Sequence, residues 1–265
     1  MSESAAKGRE RASTRLHTRQ IQPKTDWERL IPEEQWRIYI IAIEAVRATG
    51  LSFMIGGAFG LACYTGRWRN TKDLDFYILP KHRETVIDAL TGAGFGDYYD
   101  RLPYDRQWIY RSERDGVIVD IIWAMANQRA EVEPDWFEYA PVVRLHGQEL
   151  QVLPAEELLW CKLYVLQRDR CDWPDVMNIL YAVGEQLEWD RLMRRLGDDR
   201  CLLRGAVAAF SWLSPQKALL LPEELRSEGC PDPLGNGEME QRRVRLLDSR
   251  PWFAAYQPGD KPLDL

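Results

Sequence analysis

The run Val117-Ile-Val-Asp-Ile-Ile-Trp123 constrains this chain more than any other part of its sequence. It is almost continuously apolar and rich in β-branched residues, so it reads as a strand with neither face open to water. Such a strand sits centrally in a sheet covered by helices. Asp120 stands in the middle of it. A carboxylate in that setting is costly unless it is paired, caps something structural, or holds a metal.

The surrounding pattern supplies the layers. From Asp26 to Thr49, Trp27, Leu30, Ile31, Ile38, Ile41 and Ala45 recur at helical spacing, and Gly50 closes the helix. A short apolar strand at Leu51–Ile55 is followed by Gly56-Gly57 and a helical stretch through Cys63. Further strands are predicted at Leu74–Leu79, Gln107–Arg111 and Val117–Trp123, with a helix from His82 to Ala93. Val142–Leu145 and Glu149–Leu153 read as a hairpin turning at His146-Gly147. Beyond Pro154 the pattern turns helical: Ala155–Gln167, then Trp173–Val183 with Asp172 as N-cap, then Trp189–Leu196, Leu202–Leu213 and Met239–Leu247, with a loop over 229–237. The chain therefore reads as α/β (α+β): a small mixed sheet flanked by helices, followed by a helical C-terminal domain. The expected divisions are a disordered basic tail (1–25), the sheet core (26–153), the helical domain (154–250) and an irregular tail (251–265).

The totals exclude several chemistries. Among 265 residues there is no apolar run long enough for a membrane span, and the N-terminus has no secretory apolar segment, so a cytoplasmic protein with no membrane partner is expected. Five cysteines form no CxxC pair, and their odd number fits reduced thiols. Three histidines stand far apart, which gives no support to a zinc site or a histidine-based triad. Any metal should be a hard ion held by carboxylates. The net charge is −6, yet residues 1–25 carry six Lys/Arg against Glu3 and Glu10, so the rest is strongly acidic. Such a body is poorly suited to indiscriminate nucleic-acid binding.

Asp73-Leu74-Asp75 enters the second strand. Residues i and i+2 of a strand project from one face, so Asp73 and Asp75 aim at one point. They repel unless a cation lies between them, and Mg²⁺ takes oxygen ligands of this kind together with phosphate oxygens. Gly56-Gly57, between a strand and a helix, lets backbone approach a ligand and points N–H groups at negative charge. Asp120 is the natural third carboxylate. The glycines Gly56, Gly57 and Gly60 do not form GxGxxG, and no GxxxxGK[ST] occurs, so neither a dinucleotide fold nor a P-loop is indicated.

The run Ile55-Gly-Gly57, Tyr64-Thr-Gly66 and Arg69-Asn-Thr-Lys-Asp-Leu-Asp75 resembles the DNA-polymerase-β-type nucleotidyltransferase superfamily, nearest to bacterial nucleotidyltransferases around the AbiEii-type toxin group. Trp160-Cys-Lys162, Arg168–Val176 and Trp189–Met193 are similar to the helical half of the same group, and the resemblance covers about 36–250. The stretch between Gly57 and Asp73 is slightly long for that superfamily. The resemblance implies a metal pair at Asp73 and Asp75, a third acid at Asp120, nucleotide contacts at Gly56 and Gly57, and two Mg²⁺ ions with an NTP such as ATP as substrate. Lys162, on an apolar helix face, either snorkels at a domain seam or reaches the phosphates. Arg69 and Lys72 flank the metal pair and neutralise phosphate charge, or Arg69 pairs only structurally. Arg168, Asp172 and Asp175 read as an ion-pair network fixing the second domain. The implied reaction moves an NMP from an NTP to an acceptor hydroxyl of a small molecule, tRNA or protein, releasing pyrophosphate. A toxin of this group would have an antitoxin or RNA partner. The alternative is a catalytically degenerate module that binds nucleotide without transferring it.

Overall fold

The computed structural model describes residues 21, 26–69, 71–167 and 170–226. Apart from Ile21, the expected basic tail lies outside the described residues, as do the loop over 229–237, the helix Met239–Leu247, the tail from 251, and Arg168. The helix expected from Asp26 is broken in two: a single 3-10 turn at Trp27–Leu30, then α1 at Glu33–Ala48. Pro32 is the cause. It disfavours helical backbone at the residue before it, and Ile31 is extended (ψ 124°). α1 buries Trp36, Tyr39, Ala42, Ile43 and Val46 along one stripe.

Five strands form the main sheet: β1 (Met54–Ile55), β2 (Asp73–Tyr77), β3 (Gly96–Asp97), β4 (Ile109–Arg114) and β5 (Val117–Ile122). Their order is β1-β2-β5-β4-β3, with only the β2–β5 pair parallel, so the sheet is mixed and β5 is central as its composition requires. Between these strands lie α2 (Gly57–Thr65) and α3 (Arg83–Gly92). α1 and α3 pack on each other and on β5. Leu74 and Phe76 of β2, and Val119 and Ile121 of β5, are at most 1 % exposed. A short α4 (Pro134–Tyr139) precedes the expected hairpin, β6 (Val142–Leu145) and β7 (Gln148–Gln151), which the Ile55–Val152 bridge joins to β1. Both residues of its turn, His146 (φ 44°) and Gly147 (φ 81°), are left-handed, as a two-residue hairpin demands.

The helical part runs α5 (Ala155–Leu163), α6 (Trp173–Val183), α7 (Trp189–Leu196), α8 (Arg200–Leu213), α9 (Pro215–Ala218) and α10 (Glu223–Arg226). α5 stops four residues earlier than its apolar pattern suggests. The chain folds back there, with Asp172 N–H donating to Val165 C=O (2.8 Å) and Gln167 N–H to Arg170 C=O (2.7 Å). α5 is buried at every position, including Glu156 and Glu157, and buried carboxylates need partners. Arg191 of α7 meets Glu156 at 2.5 Å, and Arg195 meets Glu157 at 2.6 Å while also reaching Glu133 and Asp135 at the start of α4. Burial still pushes the Glu157 carboxyl up to about 7. Among the described residues Cys63, Cys161 and Cys171 are free thiols. Among the described residues no helix is long and apolar enough to cross a membrane.

β3, α4, α9 and α10 are too short to leave a periodic trace and were not expected from the sequence. Phe76, fully buried on the sheet face opposite the acidic residues, tests the packing. Phe76→Ala is expected to lower unfolding stability by about 3–5 kcal/mol in urea titration.

Candidate metal and nucleotide site

Strand register assembles the site. In the parallel β2–β5 pair Asp75 stands beside Asp120, and in the antiparallel β5–β4 pair Asp120 stands beside Arg111. These three residues form one row across three strands, and Asp73, two residues before Asp75, faces the same way. Oxygens of Asp73, Asp75 and Asp120 lie within 4.8 Å of one another. Two ligands across one Mg²⁺ are about 4.2 Å apart, so small side-chain rotations bring this all-oxygen set onto a hard divalent ion. The donor set fits Mg²⁺ and offers nothing to a soft metal.

The three acids are not equivalent. Arg111 clamps Asp120 in a two-pronged pair, Nε to Oδ1 at 2.8 Å and Nη2 to Oδ2 at 2.6 Å. Asp73 and Asp75 have no ion pair with any described basic residue. Burial, then the charges of Asp73 and Asp120, push the Asp75 carboxyl up to about 8, although Lys162 and Arg111 pull the other way. Burial also raises Asp120, against the pull of Arg111.

Backbone delivers these side chains. The Thr71 carbonyl, just before β2, accepts hydrogen bonds from Gln35 and from the Tyr39 hydroxyl (3.4 Å), which ties the approach of Asp73 to α1. Gly56 N–H donates to the Asp75 carbonyl at 3.0 Å. Gly57 has φ +51°, and a Cβ there would collide with Asp75 Oδ2; a Cβ on Gly56 would collide with the Tyr77 ring. The glycine pair therefore lets the start of α2 press against the acidic row.

A cleft of about 250 Å³ opens over this row. Its walls include Gly57, Arg69, Asp73, Asp75, Arg111, Asp120, Lys162, Arg170 and Asp172, with apolar surface from Trp108, Ile109, Met125 and Val165. Two residues expected here fall outside the wall: Gly56 is buried behind it, and Lys72 is exposed. Lys162 does not snorkel. It is buried, with Nζ donating to Asp172 (2.9 Å) and Asp175 (2.6 Å). Asp172 occupies the N-cap position of α6 without capping it, since its carboxylate is committed to Lys162 and Arg170. Arg69, largely exposed, approaches Asp175 at 3.5 Å. Among the described residues the expected network around Asp172 and Asp175 is thus built on Lys162, Arg170 and Arg69. Sequence reasoning missed Arg111 and Arg170. Arg111 had a readable signal, because the Asp115-Gly116 turn (φ 53° and 79°) folds β4 onto β5 and places it opposite Asp120.

A family described as uncharacterised nucleotidyltransferases matches residues 63–212, more than half of the chain, and the chain belongs to that family. Asp73, Asp75, Arg111, Asp120 and Lys162 fall inside the matched stretch and the glycine pair just before it. The protein is accordingly a nucleotidyltransferase-family enzyme. No curated protein matches it. Solved structures with partial likeness include the antibiotic-resistance factor ANT(2'')-Ia (TM-score 0.45, 17 % identity, covering 68 % of this chain and 96 % of that one). Others are the lincosamide antibiotic adenylyltransferase LnuA (0.40, 16 %, 56 % and 96 %) and JHP933 from Helicobacter pylori (0.38, 14 %, 82 % and 90 %).

The raised Asp75 carboxyl has a signed consequence. With a folded-state value near 8 against about 4 unfolded, the folded protein is penalised as pH rises between them, and fully above 8. Without divalent cations, Asp75→Asn is therefore expected to melt at higher temperature than wild type. The gap should widen from pH 5 to pH 8, and millimolar Mg²⁺ should raise wild type alone. Thermal melts across that pH range measure it.

Proposed function

We propose that this chain is a Mg²⁺-dependent nucleotidyltransferase that moves an NMP from an NTP to an acceptor hydroxyl, with release of pyrophosphate. The observation that carries this reading is the convergence of Asp73, Asp75 and Asp120 on one sheet face inside a cleft that also holds Arg69, Lys162 and Arg170. Phosphoryl chemistry of this kind depends mostly on positioning and charge neutralisation, and the cleft offers the groups for both.

The residues take distinct roles. Asp73 and Asp75 would hold one divalent ion, and Asp120 a second or, without one, the proton leaving the acceptor hydroxyl. When bound, Mg²⁺ supplies charge neutralisation for the triphosphate and lowers the pKa of the attacking hydroxyl. Gly57 brings the N-terminal N–H groups of α2 close to where the phosphates would lie. Lys162 serves the β- and γ-phosphates only by exchanging Asp172 and Asp175 for phosphate oxygens, since its ammonium is already committed to them. Arg69, exposed and weakly paired, is freer to do so than Lys162. Lys72, outside the cleft wall, is left with at most an outer electrostatic role. In this reading 26–153 is the catalytic core and 154–250 a helical part whose α5 closes the cleft.

The acceptor is a small molecule, tRNA or protein. The acidic body favours a cationic small molecule or a protein over RNA. A toxin role with an antitoxin or RNA partner rests on the sequence resemblance alone, and ATP is the simplest donor to test first. A second reading, nucleotide binding without transfer, draws on the Arg111 clamp that occupies both oxygens of Asp120.

Incubation of the protein with each α-labelled NTP, Mg²⁺ and cell lysate separates the two. Transfer predicts label moving into a protein, RNA or small-molecule fraction, and a loss of at least about 100-fold in Asp73→Ala and Asp75→Ala. Nucleotide binding with no labelled product from any NTP would leave the second reading.

A further inference from the structure

The two unpaired acids and the one clamped acid pose a question of occupancy. Among the described residues Asp73 and Asp75 stand without an ion pair, while both oxygens of Asp120 are taken by Nε and Nη2 of Arg111. Arg111 pairs with one of the three carboxylates, which leaves Asp73 and Asp75 together as ligands for a single divalent cation. A second cation would have to compete with Arg111 for Asp120. The guanidinium is well placed to give way: it lies in the wall of the cleft, its side chain is about a quarter exposed (27 %), and only two of its five N–H groups are spent on Asp120. Two oxygens of a phosphate accept from it in the same two-pronged way as a carboxylate, with more charge. The backbone of Arg111 is fixed meanwhile, since its carbonyl accepts from Tyr98 N–H (3.0 Å) and the Tyr104 hydroxyl (3.3 Å). Exchange therefore needs only a side-chain rotation.

We propose that Arg111 is a positioning residue that holds Asp120 closed until nucleotide arrives: in the nucleotide-free protein it blocks the second cation position, and it transfers to a phosphate of the bound nucleotide, handing Asp120 to the second cation. This rests on the nucleotidyltransferase reading of the same cleft. It makes cation binding at Asp120 conditional on nucleotide, and by linkage makes nucleotide binding tighter in the presence of cation. It also gives Arg111 an effect that a purely structural strand-to-strand pair would lack.

The test counts Mn²⁺ bound to the full-length protein by electron paramagnetic resonance, with and without a non-hydrolysable ATP analogue, in wild type, Arg111→Gln, Arg111→Lys and Asp120→Asn. Thermal melts confirm that each variant is folded. Wild type should bind one Mn²⁺ alone and a second only with nucleotide. Arg111→Gln should bind the second ion without nucleotide, at least about 10-fold tighter than wild type does, and should bind the analogue more weakly. Arg111→Lys keeps the charge but loses the fork, and should sit between the two. Asp120→Asn should lose the second ion under all conditions while still binding nucleotide.

If Arg111→Gln and Arg111→Lys both match wild type in Mn²⁺ stoichiometry and nucleotide affinity, Arg111 is a structural pair and the inference fails while the metal site stands. If Arg111→Gln does not fold, Arg111→Lys and Asp120→Asn decide between the same two outcomes. If wild type binds no Mn²⁺ that Asp73→Ala removes, the nucleotidyltransferase reading fails, and this inference with it.

Discussion

Mutual repulsion among three carboxylates on one face of a small sheet is the constraint that organises this molecule. Asp73, Asp75 and Asp120 are brought within 4.8 Å by strand pairing, and nothing in ordinary packing favours that. The repulsion is tolerated because the sheet is secured elsewhere. Leu74, Phe76, Val119 and Ile121 occupy the other face of the same two strands and are essentially fully buried. The alternation that puts the acids in the cleft is the same alternation that puts these apolar groups in the core, so the site cannot slip without exposing the core. Arg111 offsets part of the charge, and the remainder shows in the raised carboxyl of Asp75. A structure that needed only stability would have placed an apolar residue or a second arginine there. Such a row is able to hold a cation, which is the role proposed for it.

The helical part repeats the theme with fuller compensation. α5 is buried throughout and carries Glu156, Glu157 and Lys162, and each has an opposite charge from α6 or α7. Lys162 is the link between that network and the cleft, because it lines the cleft while its ammonium is held by Asp172 and Asp175. An anion that engages this ammonium has to compete with Asp172 and Asp175 for it, so the hold of α6 on α5 and the binding of that anion would be coupled through one side chain.

Much of this was legible in the sequence, for identifiable reasons. The common facing of Asp73 and Asp75 follows from a period of two, and the oddity of Asp120 follows from the apolar run around it. The central place of β5 follows from the same run. The pairing of Asp75 with Asp120 was not legible, because it is a parallel contact across a long crossover that contains α3, β3 and β4. The Arg111 contact could have been read from the Asp115-Gly116 hairpin, whose two-residue turn fixes the register of β4 on β5. Pro32 could likewise have been used to break the first helix. The burial of Lys162 could not have been found from its own helix pattern, since its partners come from the start of α6 and the loop before it.

The proposed chemistry of this cleft turns on whether the acidic row holds divalent cations. Crystals of the full chain soaked in Mn²⁺ with a non-hydrolysable nucleotide, and measured at the manganese edge, test this most directly. An anomalous peak is expected within about 2.6 Å of oxygens from both Asp73 and Asp75, and a second beside Asp120. Nucleotide bound in the cleft with no peak at Asp73 and Asp75 would contradict it.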